Sequence, residues 1–344
     1  MKLRIDPLLV EMARVFNARG KRVFLVGGAV RDMLRGAAAH DWDLASDALP
    51  AEVCAMFGHV IKTGLKHGTV TVIFRGRAVE VTTFRTEAGY ADGRRPDEVR
   101  FAATVEEDLS RRDFTMNAVA LELPSGAPVD PFGGAEDIRR RLIRCVGQAA
   151  ERFAEDGLRP LRALRFAATL GFALDEGMEG AIAGALGVTA MVSAERVRDE
   201  LEKIVLSDNP AAALDAMERT GLLRLILPEL AACVGVEQKG RHRFDVYEHS
   251  VRALEYAARM KAGLEVRLAA LLHDVGKPSA AALDERGVWT FYNHERASAE
   301  LVRAALFRLR FPNRVIDRVV HLVAEHMFHY EDVWNDAAVR RFIA

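Results

Sequence analysis

FLVGGAVRDMLRGAAAHDWDLASD, residues 24–47, decides how the rest of the chain is read. With Val23 ahead of it, the run Phe24, Leu25, Val26 has the length and residue types of a buried strand. Gly27 and Gly28 follow, and without a Cβ they let the backbone turn sharply and come close to a ligand. A helical segment is expected next, with Val30, Met33 and Leu34 on one side and Arg31 and Asp32 beside them. After a loop of small residues stands Asp41-Trp42-Asp43-Leu44. If this segment is a strand, alternation puts Asp41 and Asp43 on one face.

Two carboxylates side by side repel each other unless a cation lies between them. Mg²⁺ is the usual cation, because it takes oxygen ligands and bridges carboxylates to substrate phosphates. A Gly-Gly turn ahead of a helix offers backbone N–H groups to a phosphate. Together these features describe a nucleotidyl-transfer site, with Gly27, Gly28, Arg31 and Asp32 as candidate nucleotide-binding residues. Two solvated aspartates in a surface turn are the alternative, and the strand and Gly-Gly ahead of them favour chemistry. No GxGxxG occurs in this stretch and no GxxxxGK[ST] anywhere.

LVGGAVRDMLRG followed by HDWDL resembles the signature of class II tRNA nucleotidyltransferases and bacterial poly(A) polymerases, in the DNA polymerase β superfamily. The fold class expected is α+β. A polymerase-β-type nucleotidyltransferase head (1–145) is followed by an all-helical neck (146–232) and a helical HD body (233–344).

Bulk properties agree with a globular chain. Half of the 344 residues are hydrophobic, and no apolar run is long enough to cross a bilayer. The N-terminus lacks a signal-peptide pattern; Leu8, Leu9, Met12, Val15 and Phe16 suit an amphipathic helix instead. Three scattered cysteines, Cys54, Cys145 and Cys233, exclude a disulfide framework or a zinc cluster and point to the cytoplasm. A net charge of −1 argues against indiscriminate nucleic-acid binding. Arginines nevertheless crowd the middle of the chain, from Arg94 to Arg165, where they can hold a phosphate backbone locally.

Beyond the DxD, Asp47 is the expected cap of a helix with Pro50 in its first turn. Val70 to Phe74 and Ala78 to Phe84 read as paired strands with a turn at Arg75-Gly76-Arg77. Glu80 is an isolated acid in the second of them. Beside the aspartate strand it is a third catalytic carboxylate or orients a metal ligand; on an edge strand it is a solubilising charge. Residues 85–100 read as a long mobile loop. The resemblance implies a loop here that serves the switch to adding A, which counts against an enzyme adding C alone.

In SRRDFTMNAVALEL, Asp108 and Ser110 are expected to mark a turn. An Arg112–Asp113 pair can hold a nucleotide's phosphate and sugar hydroxyl together; a surface ion pair is the plainer reading. RRDFTMNA, with Asn117, matches the family's sugar-binding motif, and VDPFGGAEDIRRRLIRCVG resembles its head–neck hinge. In AEDGLRPLRALRF, Asp156 and Arg159 are three apart, so one helix would place them on one face, acceptors beside donors. The family's EDxxR motif implies that this pair selects the incoming base. Arg162 and Arg165 continue the stripe toward triphosphate or tRNA. The family usually has Pro where Gly157 stands, and Pro160 is expected to push Asp156 to the start of the helix. Val197, Leu201, Ile204 and Val205 are the expected inner face of a later capped helix.

FDVYEHSVRAL, LAALLHDVGKP, FYNHERASAELV and VVHLVAEHMFHY carry the HD-domain pattern. His249, His273 and Asp274 are expected on one metal, Mn, Fe, Co, Ni or Zn. His294 and His326 extend this to a second metal, and Asp336 is the candidate closing aspartate. Some relatives use such a body as a phosphohydrolase. The chain stops inside an expected helix from Asp336, from which an HD body incomplete at its C-terminal end is expected. The expected activity is template-independent addition of C and A to tRNA 3′ ends from CTP and ATP. Poly(A) or A-only addition is the near alternative, and an HD phosphohydrolase with an RNA-binding head the distant one.

Overall fold

A computed structural model describes residues 4–39, 41–88, 98–238, 244–285 and 289–327. The chain divides into two compact units, Met1–Val192 and Ser193–Ala344, so helices expected in the neck fall in both.

In the first unit, α1 (Pro7–Asn17) is capped by Asp6, whose carboxylate accepts from the Leu8 N–H at 2.9 Å. It buries Leu9, Met12 and Phe16, the stripe expected from their spacing. β1 (Val23–Val26) is buried at every residue because both its faces are covered. Val23 and Leu25 pack into the core that holds α1, and Phe24 and Val26 into a second core with Phe84, Val105 and Leu109. After α2 (Gly28–Leu34) come β2 (Asp43–Ser46) and α3 (Pro50–Met56). Pro50 opens α3 as expected, but Asp47 is not its cap. Its carboxylate accepts from the Arg22 N–H, and Glu52 reaches back to the Leu49 N–H at 2.7 Å.

β3 (Val60–Gly64), β4 (Thr69–Phe74) and β5 (Arg77–Thr83) follow; β4 and β5 are the expected hairpin. The segment expected to be a loop instead opens and closes as a ribbon, β6 (Arg85–Ala88) against β7 (Glu98–Phe101). Residues 89–97, with Arg94 and Arg95, lie outside the described residues. α4 (Val105–Ser110) contains Asp108 and Ser110, so the expected turn is a helix, opened by a capping box between Thr104 and Glu107. β8 (Ala120–Glu122) and β9 (Ala127–Val129) complete a seven-stranded sheet of order β3-β4-β5-β2-β1-β8-β9. Its β2–β5 pair is parallel and its other pairs antiparallel. α5 (Gly134–Arg140), β10 (Leu142–Ile143), α6 (Ala149–Glu155), α7 (Arg159–Leu170), β11 (Ala173–Leu174), α8 (Met178–Gly184) and α9 (Leu186–Thr189) follow. The β10–β11 pair puts one two-residue strand, β11, into the otherwise helical neck.

Gly157 has a local physical reason. A Cβ there would lie 2.4 Å from the Val188 carbonyl oxygen, so only glycine lets the α6–α7 link approach α9. Gly157→Ala is expected to cost about 1–3 kcal/mol, read from the urea midpoint, through overpacking. An unchanged midpoint would show that α9 yields freely.

The second unit comprises α10 (Ala194–Val205), α11 (Pro210–Arg219), α12 (Leu222–Ile226), α13 (Pro228–Ala231), α14 (Val246–Arg259), α15 (Leu264–Leu272), α16 (Lys277–Ala280), β12 (Ala282–Leu283), β13 (Trp289–Thr290), α17 (His294–Arg308) and α18 (Asn313–Ala324). α10 buries Val197, Leu201, Ile204 and Val205 as expected, although Ser193 gives no side-chain cap. Arg267 is buried and donates to the carbonyls of Val205, Ser207, Ala258 and Ala262, tying the ends of α10 and α14 together. Among the described residues no helix is long and apolar enough to cross a membrane.

Candidate active site and metal centre

Asp43 opens β2 and lies opposite Glu80 of β5 in their parallel register. Asp41 sits in a bend ahead of the strand, so the strand alternation expected to place the two aspartates does not hold; the chain's entry into β2 places them instead. Glu80 is on an inner strand, not at an edge. All three reach solvent, yet the protein around Asp43 desolvates its carboxylate. Burial first, then the charge of Glu80, raises the Asp43 pKa above its ordinary 3.8; Asp41 adds to this and Arg112 opposes it. The charges of Glu80 and Asp41 that press on Asp43 are of the kind a hard divalent cation relieves.

Gly27 closes the turn onto this point. Its φ is +72°, and a Cβ there would lie 3.3 Å from Arg112 Nη1 and 3.6 Å from Asp43 Oδ2. Arg112 donates to Asp108 Oδ2 at 3.2 Å and to the Asn117 carbonyl at 3.3 Å, while its Nε–H is buried without a hydrogen-bond acceptor. Asp108, read from the sequence only as a turn residue, is a buried anion that also accepts from Arg111 at 2.9 Å. Burial would raise its pKa, but the charges of Arg111 and Arg112 outweigh that and lower it. The i, i+3, i+4 spacing of the three residues was the available signal.

The remaining head candidates form one hydrogen-bonded chain. Asp32 takes Arg31 through both oxygens at 3.0 and 3.1 Å, and Arg31 Nη1 donates to Asn117 Oδ1 at 3.0 Å. Asn117 Nδ2 donates to Asp113 Oδ1 at 3.0 Å, and Arg162 grips Asp113 Oδ2 from Nε and Nη2 at 2.9 and 2.6 Å. Phe166, also missed, sets its ring against Arg31, Arg162 and Arg165, whose guanidinium carbons lie 5.1, 5.6 and 3.6 Å from its centroid.

Burial would push the Asp113 carboxyl up, but the Arg162 charge and hydrogen bonds from Asn117, Arg162 and the Phe114 N–H bring it from 3.8 to about 2. A pKa lowered on folding stabilises the protein above the unfolded value and is lost as pH falls from about 4 to about 2. Wild type is expected to exceed Asp113→Asn by about 2 kcal/mol above that window and to lose the difference below it, in urea unfolding across this range. A pH-independent difference would assign the loss to packing.

Asp156 and Arg159 do not share a helix. Asp156 caps the end of α6 and accepts from the Leu158 N–H at 3.0 Å, whereas Arg159 opens α7, with Pro160 beside it. Asp156 therefore ends one helix instead of starting the next, where it was expected, and the single-face pairing is corrected as well. Arg159 is buried, bonded to Glu155 at 2.5 Å and to the carbonyls of Arg152 and Arg111 at 3.0 and 3.3 Å.

In the second unit His249, from α14, and His273 and Asp274, after α15, form one group of metal-competent atoms. Asp274, His294 and His326 form another. Asp274 belongs to both. His249 and His273 approach its Oδ2 at 3.5 and 3.2 Å, and His294 and His326 its Oδ1 at 3.2 and 3.6 Å. His273, His294 and His326 each turn Nδ1 to the carbonyl three residues back, of Ala270, Phe291 and Val323, at 2.9, 2.7 and 2.7 Å. Those carbonyls accept hydrogen bonds from Nδ1–H, which leaves each Nε2 beside Asp274 as the nitrogen that a metal would use. Asp274 Oδ1 is itself buried without a hydrogen-bond donor. This donor set fits a transition metal. Burial would raise the Asp274 pKa, but the three imidazoles hold it well below the usual carboxylate range. Lys277, missed although it stands three residues on, donates to Asp274 Oδ2 and Gln238 Oε1, each at 2.6 Å. Asp336 lies outside the described residues.

Residues 23–144 match the family model of the poly A polymerase head domain. Residues 171–234 match the probable RNA and SrmB-binding site of polymerase A, and residues 246–338 match the HD domain. The Bacillus stearothermophilus CCA-adding enzyme, solved in complex with CTP, is 35% identical to this chain. The likeness covers 97% of this chain and 74% of that one, with a TM-score of 0.74. The chain belongs to the CCA-adding enzyme family. The CCA-adding enzyme of Geobacillus kaustophilus (strain HTA426) is 50% identical over 221 residues, 64% of this chain and 54% of that protein. That of Geobacillus thermodenitrificans (strain NG80-2) is 46% identical over 263 residues, 76% and 61% respectively. The chain thus spans 54% and 61% of the length of these two relatives. The Thermotoga maritima CCA-adding enzyme, solved with tRNA, shares the fold at 22% identity, 94% and 71% coverage and a TM-score of 0.66.

Proposed function

We propose that this chain adds C and A to tRNA 3′ ends from CTP and ATP without a template. The observation that carries the reading is the Asp43–Glu80 register, with Arg112 and Gly27 closing on the same point. When bound, Mg²⁺ at Asp41 and Asp43 supplies charge neutralisation at the transferred phosphoryl group and lowers the pKa of the attacking hydroxyl. Glu80 fixes Asp43 or joins it as a third carboxylate. Arg112 brings an unused buried N–H to the triphosphate, and the chain from Asp32 to Arg162 holds the sugar side of the site.

Selection of C and A by Asp156 and Arg159 requires Arg159 to exchange the Arg111 carbonyl or Glu155 for a base edge. The division into head (1–145), neck (146–232) and HD body (233–344) is part of this reading, supported by the three matched segments. Free thiols at all three cysteines support a cytoplasmic setting. The test offers tRNAs lacking CCA, lacking only the final A, and complete, with each labelled nucleotide. Stepwise C, C, A incorporation is expected. Runs of A on any end would assign poly(A) addition, and A on the two-C end alone an A-adding enzyme.

A second activity is supported by the four imidazoles around Asp274: metal-dependent phosphoester hydrolysis in the HD body, with Mn, Fe, Co, Ni or Zn. His249, His273, His294, His326 and Asp274 would hold the metal, and Lys277 keeps Asp274 oriented.

A further inference from the structure

A cavity of ≈440 Å³ lies where the C-terminal end of α2, α5 and the α7–β11 turn meet, and nothing in the transfer site uses it. Arg139 and Arg141 line it from exposed positions, Arg35 with a half-buried side chain, and Leu34, Leu170 and Phe172 with half-buried or buried ones. Its size suits a ligand of nucleotide dimensions.

The three arginines differ. Arg35 shares the carboxylate of Asp32, and Arg139 pairs with Glu136. The Arg141 guanidinium has no hydrogen-bond or ion-pair partner among the described residues, and no acidic residue lines the cavity. Arg141 also adopts φ +55°, a conformation that favours glycine or asparagine. Its cation therefore stands at a backbone position poorly suited to it.

α2 links the transfer site to the cavity. Arg31 of that helix reaches the Asn117 network, and Arg35, about one turn (5.4 Å) further on, reaches the cavity. α7 likewise runs from Arg159 to Leu170. A phosphate joined to a flat apolar-faced base matches an unpartnered cation beside an apolar floor.

We propose that this cavity is an RNA subsite holding one nucleotide of the single-stranded 3′ end upstream of the growing terminus. Its phosphate lies on Arg141 and its base over Leu34 and Leu170, beside the Arg35 guanidinium that faces the Phe172 ring 5.6 Å from its centroid. The proposal rests on the nucleotidyl-transfer reading and adds where the acceptor strand goes.

The intact chain is tested with an acceptor-stem RNA in which each of the last few linkages is replaced in turn by an uncharged methylphosphonate. Arg141→Gly removes the cation and suits the left-handed backbone, so it is expected to fold; Arg140→Ala is the neighbouring control. Wild type should lose roughly tenfold affinity at a single linkage. Arg141→Gly should bind unmodified RNA that weakly, ignore the replacement, and show a slope of log K against log salt shallower by about 0.7. The KM for nucleotide should not move. Undiminished linkage sensitivity in Arg141→Gly overturns the proposal, as does a rise in nucleotide KM with RNA affinity intact, which would make the cavity a free-nucleotide site. Binding needs no turnover, so the readings fail separately. Wild type that senses one linkage but incorporates nothing sinks the transfer reading. Incorporation with Arg141→Gly indistinguishable from wild type sinks the subsite.

Discussion

Asp43→Ala is expected to lower nucleotide incorporation by at least about a thousandfold while leaving RNA affinity near that of wild type. Asp43 is where the site converges: it faces Glu80 across the parallel pair, shares its charge with Asp41, and lies beside the Gly27 turn and Arg112. The arginines proposed to meet phosphates stand on other elements, so RNA binding is expected to survive. Removing a carboxylate from a repelling cluster also relieves strain, so Asp43→Ala should melt no lower than wild type. That separates lost chemistry from lost fold. Asp41→Ala should behave alike despite its place ahead of the strand. Substantial turnover by either variant would remove the aspartate pair from the chemistry.

His273→Ala combined with Asp274→Ala is expected to empty the second unit of metal, abolish phosphoester hydrolysis, and spare nucleotide incorporation. Asp274 is the shared group of both ligand sets, so no pair of imidazoles replaces it. Removing it also leaves Lys277 buried beside Gln238 alone, which is destabilising. Asp274→Asn keeps the volume and serves as the second variant. Metal content by elemental analysis and hydrolysis of phosphomonoesters and cyclic 2′,3′-phosphates are the readouts. Wild type purified without chelator yet free of metal, and inert with added Mn²⁺, Co²⁺ or Ni²⁺, would leave the HD body as scaffold.

Local chemistry made much of this legible in sequence. The Val23–Val26 run, the Gly-Gly turn, the DxD and the HD dipeptide each carry their meaning within a few residues. Strand periodicity, backbone freedom and ligand type are short-range properties. That Glu80 faces Asp43 was only conditional, because register between distant strands is set by tertiary pairing.

The sequence by itself determined the α+β head, the helical remainder and the residue types at both sites. Only the tertiary structure decided which of those side chains are already engaged. Arg159 is turned inward onto Glu155 and two carbonyls, and Asp113 is closed by Arg162 and Asn117. Asp108 proves to be the buried anchor of two arginines, and Phe166 the ring three arginines share. Gly157 stands where the family's proline would because Val188 leaves no room for a Cβ. The physical reason is common to all of them. A charged residue's partner is chosen by which elements pack together and by the cost of burying a charge unpaired, and neither is written at any fixed spacing along the chain.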